Sequence, residues 1–474
     1  MPLPATLPAP VPATATPSRV VVVGGGLAGL AAAVALVEAG CAVTVVEARR
    51  RAGGRAASFD DPQGAGLVDA CQHVAMGCCT NFLDLCCRTG LADRLRRDRT
   101  LWFIGPDGTR ADCTPSAWLP APLHLAPLLQ GMRHFSWREK AQLGWGMLRL
   151  ARLRNPLDSV PQTSRAWLES IGQPESVIRL FWQPVLESAL GESIDLVSVA
   201  AARKVAVDGF LAHHQAADVY VPLEPLGVLF GERLVAWLRA RGATVETGRG
   251  VTALERSGDG LVRGVVCGAE SIPSDAVIVA VPWKPAARLV PDLVPVADER
   301  LAGSPITAVH LWFDREVIDL PHAVLVGRVS QWVFRSDSPA GDERGYCQVV
   351  ISASRGLLGG DRQKLVETVV AELRETFPLV REASLLEARV VTDPTAVLSV
   401  RPGVDAVRPA AITAVGNLFL AGDWTATGWP STMEGAVRSG TTAAVAALHR
   451  LGLPAPTPVP DLPKGLLVRL MLGG

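Results

Sequence analysis

Residues Ser18–Arg55 read SRVVVVGGGLAGLAAAVALVEAGCAVTVVEARRRAGGR, and this stretch decides the fold. Val20–Val23 is an unbroken apolar run, the pattern of a strand buried on both faces. The glycine turn Gly24–Gly29 follows. Leu30–Ala39 reads as an Ala/Leu/Val helix closed by Gly40, and Cys41–Val46 as a second apolar strand ending at Glu47. Strand, turn, helix, strand and acid in this order predict a dinucleotide-binding βαβ unit. Gly24 permits the tight turn, Gly26 lets the backbone approach a pyrophosphate, and Gly29 lets the helix pack close to the strand. The first helical N–H groups, at Leu27 and Ala28, present the positive end of the dipole to the phosphates. Glu47 lies about 20 residues beyond the turn, where a carboxylate can accept from both hydroxyls of an adenosine ribose.

The end of the stretch narrows the choice of dinucleotide. Ala48, Arg49, Arg50, Arg51, Ala52, Gly53, Gly54 and Arg55 form a second glycine pair flanked by arginines, able to curl back and bring N–H groups and a cation to the same diphosphate. This extension resembles the fingerprint of FAD enzymes of the amine oxidase and phytoene desaturase superfamily. The resemblance implies an α/β chain, with a glutathione-reductase-like FAD-binding Rossmann domain interleaved with an α+β substrate domain. It also implies a backbone contact to adenine at Val251, after the helix and strand of Pro225–Thr247. The amine oxidases that hold flavin covalently use a cysteine near their C-terminal motif; none follows Cys347 here, so the FAD is expected to be non-covalent.

A chain of 474 residues exceeds one compact core. The expected division is a disordered leader at 1–17, FAD-binding segments at 18–105, 216–300 and 396–451, substrate-domain segments at 106–215 and 301–395, and a tail at 452–474. Lys+Arg and Asp+Glu both number 46, which argues against a nucleic-acid partner. Five of the nine cysteines cluster between Cys71 and Cys87 without CxxC spacing, which disfavours zinc. The odd cysteine count and a leader without a basic n-region point to reduced thiols in the cytoplasm. No apolar run reaches the roughly 18 residues of a membrane span; Cys113–Met132 is broken by Pro115, Pro120, Pro122 and Pro127.

The second diagnostic stretch is Asn417–Gly440, NLFLAGDWTATGWPSTMEGAVRSG. Leu418–Ala421 reads as a buried strand ending at Gly422, which allows close approach, and Asp423, placed to bond a ribityl chain. Thr432 and Met433 open the last helix, whose N–H groups suit negative charge at the flavin N1/C2=O locus. This string, with Asp69–Cys78 (DACQHVAMGC), resembles hydroxysqualene dehydroxylases, although Cys71 stands where that family usually has glycine. The resemblance implies reductive removal of the allylic hydroxyl of hydroxysqualene to give squalene, for hopanoid or triterpenoid synthesis. It implies His73 as the acid for the departing oxygen and Gln72 as its orienting partner.

Between Thr114 and Arg154, Trp118, Trp137, Trp145 and many leucines are interspersed with arginines, a texture that suits either a helical substrate layer or a mouth dipping into a membrane interface. The apolar, lightly cationic tail Leu462–Gly474 allows a membrane-surface role or cover of a neighbouring groove. The partners expected are a hydrophobic C30 isoprenoid, an external electron donor, since no second nucleotide fingerprint appears, and the inner face of the cytoplasmic membrane. The alternatives are a carotenoid or phytoene desaturase with reversed electron flow, a flavin amine oxidase, and a non-catalytic flavoprotein. With only Tyr220 and Tyr346, the chain is poor in the tyrosines of an amine cage.

Overall fold

Residues Val20 and Val22 face one apolar core and Val21 and Val23 another, which is why the first strand carries no polar residue between them. The computed structural model describes residues 17–60, 67–153, 162–295, 297–335 and 345–472. The expected leader up to residue 16, the turn at Asp61–Gly64, and Arg154 lie outside them. Arg19–Val23 pairs in parallel with Ala42–Glu47 on one edge and Ala276–Val279 on the other. Thr244–Thr247 and Leu418–Leu420 complete a five-stranded, wholly parallel sheet with Arg19–Val23 at its centre. Helices Leu27–Glu38 and Met433–Arg450 cover one face, and a Cβ on Gly440 would stand 2.0 Å from the Ala28 carbonyl oxygen, so only glycine permits this approach. Each buried valine or leucine here contributes about 1.5–3 kcal/mol relative to exposure. Trp283, Trp424, Val262 and Val265 fill the other face.

The second domain is a seven-stranded sheet, in the order Leu385–Leu398, Gly303–Phe313, Gly345–Ile351, Trp332–Arg335, His322–Leu325, Leu101–Ile104 and Arg110–Cys113. Leu101–Ile104 therefore belongs to this sheet, and the expected domain boundary at 105 cuts through its hairpin. Phe103 and Ile104 pair with Val324 and Leu325, partners 221 residues apart in sequence that local pattern cannot show. The helical layer from Ala126 to Leu211 buries Trp167, Trp182, Phe181 and Leu143 in a core of its own.

Ser58–Asp60 pairs with Leu67–Asp69 as a hairpin. A helix follows from Thr80 to Arg88. Gly90 adopts φ +73°, and the chain passes through a short turn at Ala92–Arg94 into the strand Leu95–Asp98 against Val219–Pro222. Among the described residues no helix is long and apolar enough to cross a membrane.

Candidate functional site

The sheet delivers three chain segments to its carboxyl edge. At the first, Gly24 has φ +110° and a Cβ there would lie 2.7 Å from the Ala280 carbonyl oxygen, so the turn requires glycine. A Cβ on Gly29 would lie 1.9 Å from the Gly24 carbonyl oxygen. Gly26 is different: its φ is −78°, and a Cβ would meet only the Gly54 Cα, at 3.8 Å. Among the described residues nothing crowds a Cβ at Gly26, yet the backbone there is left bare.

The second glycine pair curls back as expected. Gly53 N–H donates to the Gly25 carbonyl at 2.8 Å, and a Cβ on Gly54 would come within 3.0 Å of the Gly26 Cα. Leu27, Ala28 and Gly29 occupy the first turn of their helix, where backbone N–H groups have no intrahelical acceptor. Glu47 accepts from Gly25 N–H at 2.7 Å and from Arg49 N–H at 2.8 Å, which fixes the carboxylate at the rim while leaving lone pairs for further donors. Arg249 N–H donates to the Glu47 carbonyl at 3.0 Å, and Gly250 faces Ala48, so Val251 arrives beside Glu47–Arg49.

The C-terminal segment meets this cradle directly. Arg55 ion-pairs with the buried Asp423, which also accepts from the Ser431 hydroxyl; Arg55 Nη1 donates to the Ala396 carbonyl at 2.7 Å. The sequence reading placed these two groups separately, Arg55 on a diphosphate and Asp423 on a ribityl chain. Here each is the other's main partner. Burial opposes ionisation of Asp423, but Arg55 and Ser431 outweigh it and hold the carboxyl below its usual range. Gly422 also differs from expectation: its φ is +143° and the space of its Cβ is taken by the Trp424 indole, so the chain itself demands glycine. Thr432 caps the last helix, accepting from Gly435 N–H at 3.2 Å, so the N–H groups of Met433 and Glu434 face outward from the first turn.

His73 and Gln72 lie where the hairpin domain meets the seven-stranded sheet. Gln72 N–H bonds the Gln348 side chain, whose Nε2 donates to the Asp69 carbonyl at 3.1 Å and approaches His310 Nδ1 at 3.3 Å. His73 Nδ1 lies 2.7 Å from the Cys71 carbonyl, an acceptor only, so Nδ1 carries a proton. Burial lowers the His73 pKa, the Cys71 carbonyl opposes this, and the nearby Arg55 charge lowers it further. The ring is therefore neutral at pH 7, with Nε2 bare. Gln72 does not orient it: the Gln72 amide reaches the His73 carbonyl at 3.3 Å, and the Cys71 carbonyl sets the ring. Asp69, held by Ser58 Oγ at 2.6 Å and Leu226 N–H at 2.7 Å, is pushed up to about 6 by burial.

Residues 27–448 match the family described as flavin containing amine oxidoreductase. The chain belongs to that family. Hydroxysqualene dehydroxylase of Rhodopseudomonas palustris is 29% identical over 454 residues, covering 89% of this chain and 96% of that protein. The 15-cis-phytoene desaturase of Synechococcus elongatus is 27% identical over 464 residues, covering 91% and 96%. Cyclohexylamine oxidase from Brevibacterium oxydans shares the fold, with a TM-score of 0.66 at 19% identity over 92% of this chain and 100% of that one. The chain is an FAD-dependent oxidoreductase. The residues fit the cofactor: the Gly26 and Gly54 backbones face each other without side chains, and the Glu47 carboxylate at the rim keeps lone pairs for further donors.

Sequence reasoning overlooked a buried acid in the substrate domain. Glu187, in the helix Gln183–Leu190, takes long bonds from Gln183 at 3.3 Å, Ile194 N–H at 3.4 Å and Gln331 at 3.5 Å, and pairs with no cation among the described residues. Burial raises it from 4.5 to about 7. A raised carboxyl costs nothing while both states are protonated and costs stability as pH rises through the folded value. Glu187→Gln removes that ionisation. Its stability relative to the parent is expected to grow between pH 5 and pH 8, by up to about 3 kcal/mol. Denaturant midpoints across that range check it; a constant difference contradicts it.

Proposed function

We propose that the protein reductively removes the allylic hydroxyl of hydroxysqualene, releasing squalene and water, in hopanoid or triterpenoid synthesis, with an external donor supplying electrons. The observation that carries this reading is the likeness to hydroxysqualene dehydroxylases across nearly the whole chain. When bound and reduced, FAD supplies the hydride. The chain's own tasks are to hold a long apolar substrate, exclude water from the cationic carbon left when the C–O bond breaks, and deliver a proton to the departing oxygen. Gln72 and His73 are assigned to the reacting edge, held against the sheet through Gln348. His73, neutral at rest, donates only in the fraction of molecules where Nε2 is protonated. Substrate is taken from the cytoplasmic face of the membrane.

The test is anaerobic incubation of the dithionite-reduced holoenzyme with detergent-solubilised hydroxysqualene, following products by mass spectrometry. Squalene formed as the flavin reoxidises supports the reading; its absence removes it. Because the His73 pKa lies below the ordinary 6.5, turnover is expected to climb as pH falls through that range. His73→Ala is expected to lose that rise with FAD still bound; undiminished turnover would remove His73 from the chemistry. A phytoene-type desaturase is the second reading, favoured by the match to the Synechococcus elongatus enzyme. It predicts that the oxidised protein, not the reduced one, consumes its isoprenoid.

A further inference from the structure

Three segments distant in sequence meet on one side of the helical layer. The first is the loop Ser116–Leu125, closed by Ser116 N–H to the His124 carbonyl at 2.8 Å and by Trp118 and Leu119 N–H groups on the Ser116 hydroxyl, each at 3.3 Å. These bonds hold Trp118 outward, 94% exposed. The second is the helix Trp137–Ala151, with Trp137 78% exposed and Trp145 half exposed. The third is the C-terminal helix Leu466–Leu472, with Leu466 74% and Leu470 69% exposed. Their mutual contact is direct. Leu125 and Leu472 both pack on the cluster of Ala151, Val207 and Leu211, and Arg152 Nε donates to the Met471 carbonyl at 3.1 Å.

The tail is fastened, not trailing. Asp461 ion-pairs with Lys204 at 2.8 Å and with Arg438, and accepts from the Trp429 indole at 3.3 Å; Asn81 Nδ2 donates to the Val459 carbonyl at 2.8 Å. Gly465 N–H then bonds the Ala212 carbonyl at 2.9 Å, which sets the last helix against the layer with Val468 inward. The exposed leucines of that helix are consequently displayed in a fixed place.

Charge on these segments is one-sided. From Thr114 to Arg152 the cations are Arg133, Arg138, Lys140, Arg149 and Arg152, against the single acid Glu139, and Leu462–Leu472 adds Lys464 and Arg469 with no acid. The whole chain balances at 46 against 46, so the excess is local. Lys140 stands 5.0 Å from the Trp137 ring centre and Arg149 5.6 Å from that of Trp145, placing ammonium and guanidinium groups beside exposed indoles. Exposed indoles and leucines with an excess of cations on segments in contact suit a bilayer's interface, where cations meet anionic headgroups.

We infer that this three-segment face docks on an anionic lipid bilayer, with Trp118, Trp137, Leu466 and Leu470 entering the headgroup boundary. The inference rests on the reading that substrate comes from a membrane, and names the surface that does it. The test is co-sedimentation of the FAD-loaded full chain with phosphatidylglycerol/phosphatidylcholine vesicles and with phosphatidylcholine alone, without substrate. Binding is expected to favour the anionic vesicles, to weaken in high salt, and to fall at least about tenfold in Leu466→Glu and in Trp118→Ser. Both positions are exposed, and unchanged flavin content shows that folding is intact. No binding by the parent, equal binding to both vesicles, or unaltered binding by both variants overturns the inference. So does a concentration-dependent dimer in which these residues are shielded, which would make the face an interface between copies. Because no substrate is present, failure here leaves the dehydroxylation assay unaffected, and failure there leaves this result standing.

Discussion

Gly26→Ala is expected to give a folded protein that does not retain FAD. The substitution is benign to the chain: at φ −78° any residue is comfortable, and the added methyl meets only the Gly54 Cα at 3.8 Å, an ordinary contact. The methyl instead enters the space beside the first-turn N–H groups of Leu27 and Ala28, where we propose that the pyrophosphate binds. Affinity is expected to fall at least about tenfold, or 1.4 kcal/mol. Flavin absorbance per protein after gel filtration reads the loss, and the circular dichroism and melting of flavin-stripped parent and variant should coincide. The contrast with Gly24→Ala is part of the test. There φ is +110° and the Cβ would sit 2.7 Å from the Ala280 carbonyl oxygen, so that variant is expected to fail in folding itself. Full flavin content in Gly26→Ala would mean that the diphosphate lies elsewhere.

The parts of this protein that sequence made legible are those whose signal is local. Arg19–Val23, Ala42–Glu47 and Leu418–Leu420 are legible because each is a short, largely apolar run beside a glycine, and the cofactor cradle because turn, helix start and acid all fall between Gly24 and Glu47. What was hidden depends on partners far along the chain. Leu101–Ile104 looks like any hairpin strand until Val324 and Leu325 are found beside it. Gln348 lies inside an unremarkable strand, and only its bond to Gln72 makes it part of the site. Glu187 is a lone acid in a helix that could as well have faced water. The roles of Arg55 and Asp423 were assigned as if each faced a ligand, because sequence shows that both are charged but not that they face each other.

Glu434→Ala is expected to be strongly destabilising. Position alone suggests a first-turn acid favouring its own helix dipole. The carboxylate goes elsewhere. Fully buried, it accepts from Asn81 N–H at 3.1 Å, Phe82 N–H at 2.8 Å and Asn81 Nδ2 at 3.1 Å, and pairs with Arg438 Nε at 2.5 Å. The helix Thr80–Arg88 has Cys79 at its cap position and no side-chain cap of its own, so Glu434 caps it from 353 residues away. Alanine orphans two buried helix-start N–H groups and removes one of the two carboxylates that pair with Arg438, which keeps Asp461. Each orphaned donor costs about 1–3 kcal/mol, so a loss of roughly 3 kcal/mol or more is expected. Glu434→Gln keeps one acceptor oxygen for the N–H groups but turns an amide toward Arg438, and is expected to fall between parent and alanine. Thr432→Ala, which loses only the local cap, is expected to cost about 1 kcal/mol. Urea midpoints at unchanged slope measure all three. A loss in Glu434→Ala no larger than that in Thr432→Ala would show that the long-range cap contributes little. A large loss would mean that the helix starting at Met433 and the helix following the His73 segment are held in register by this one carboxylate.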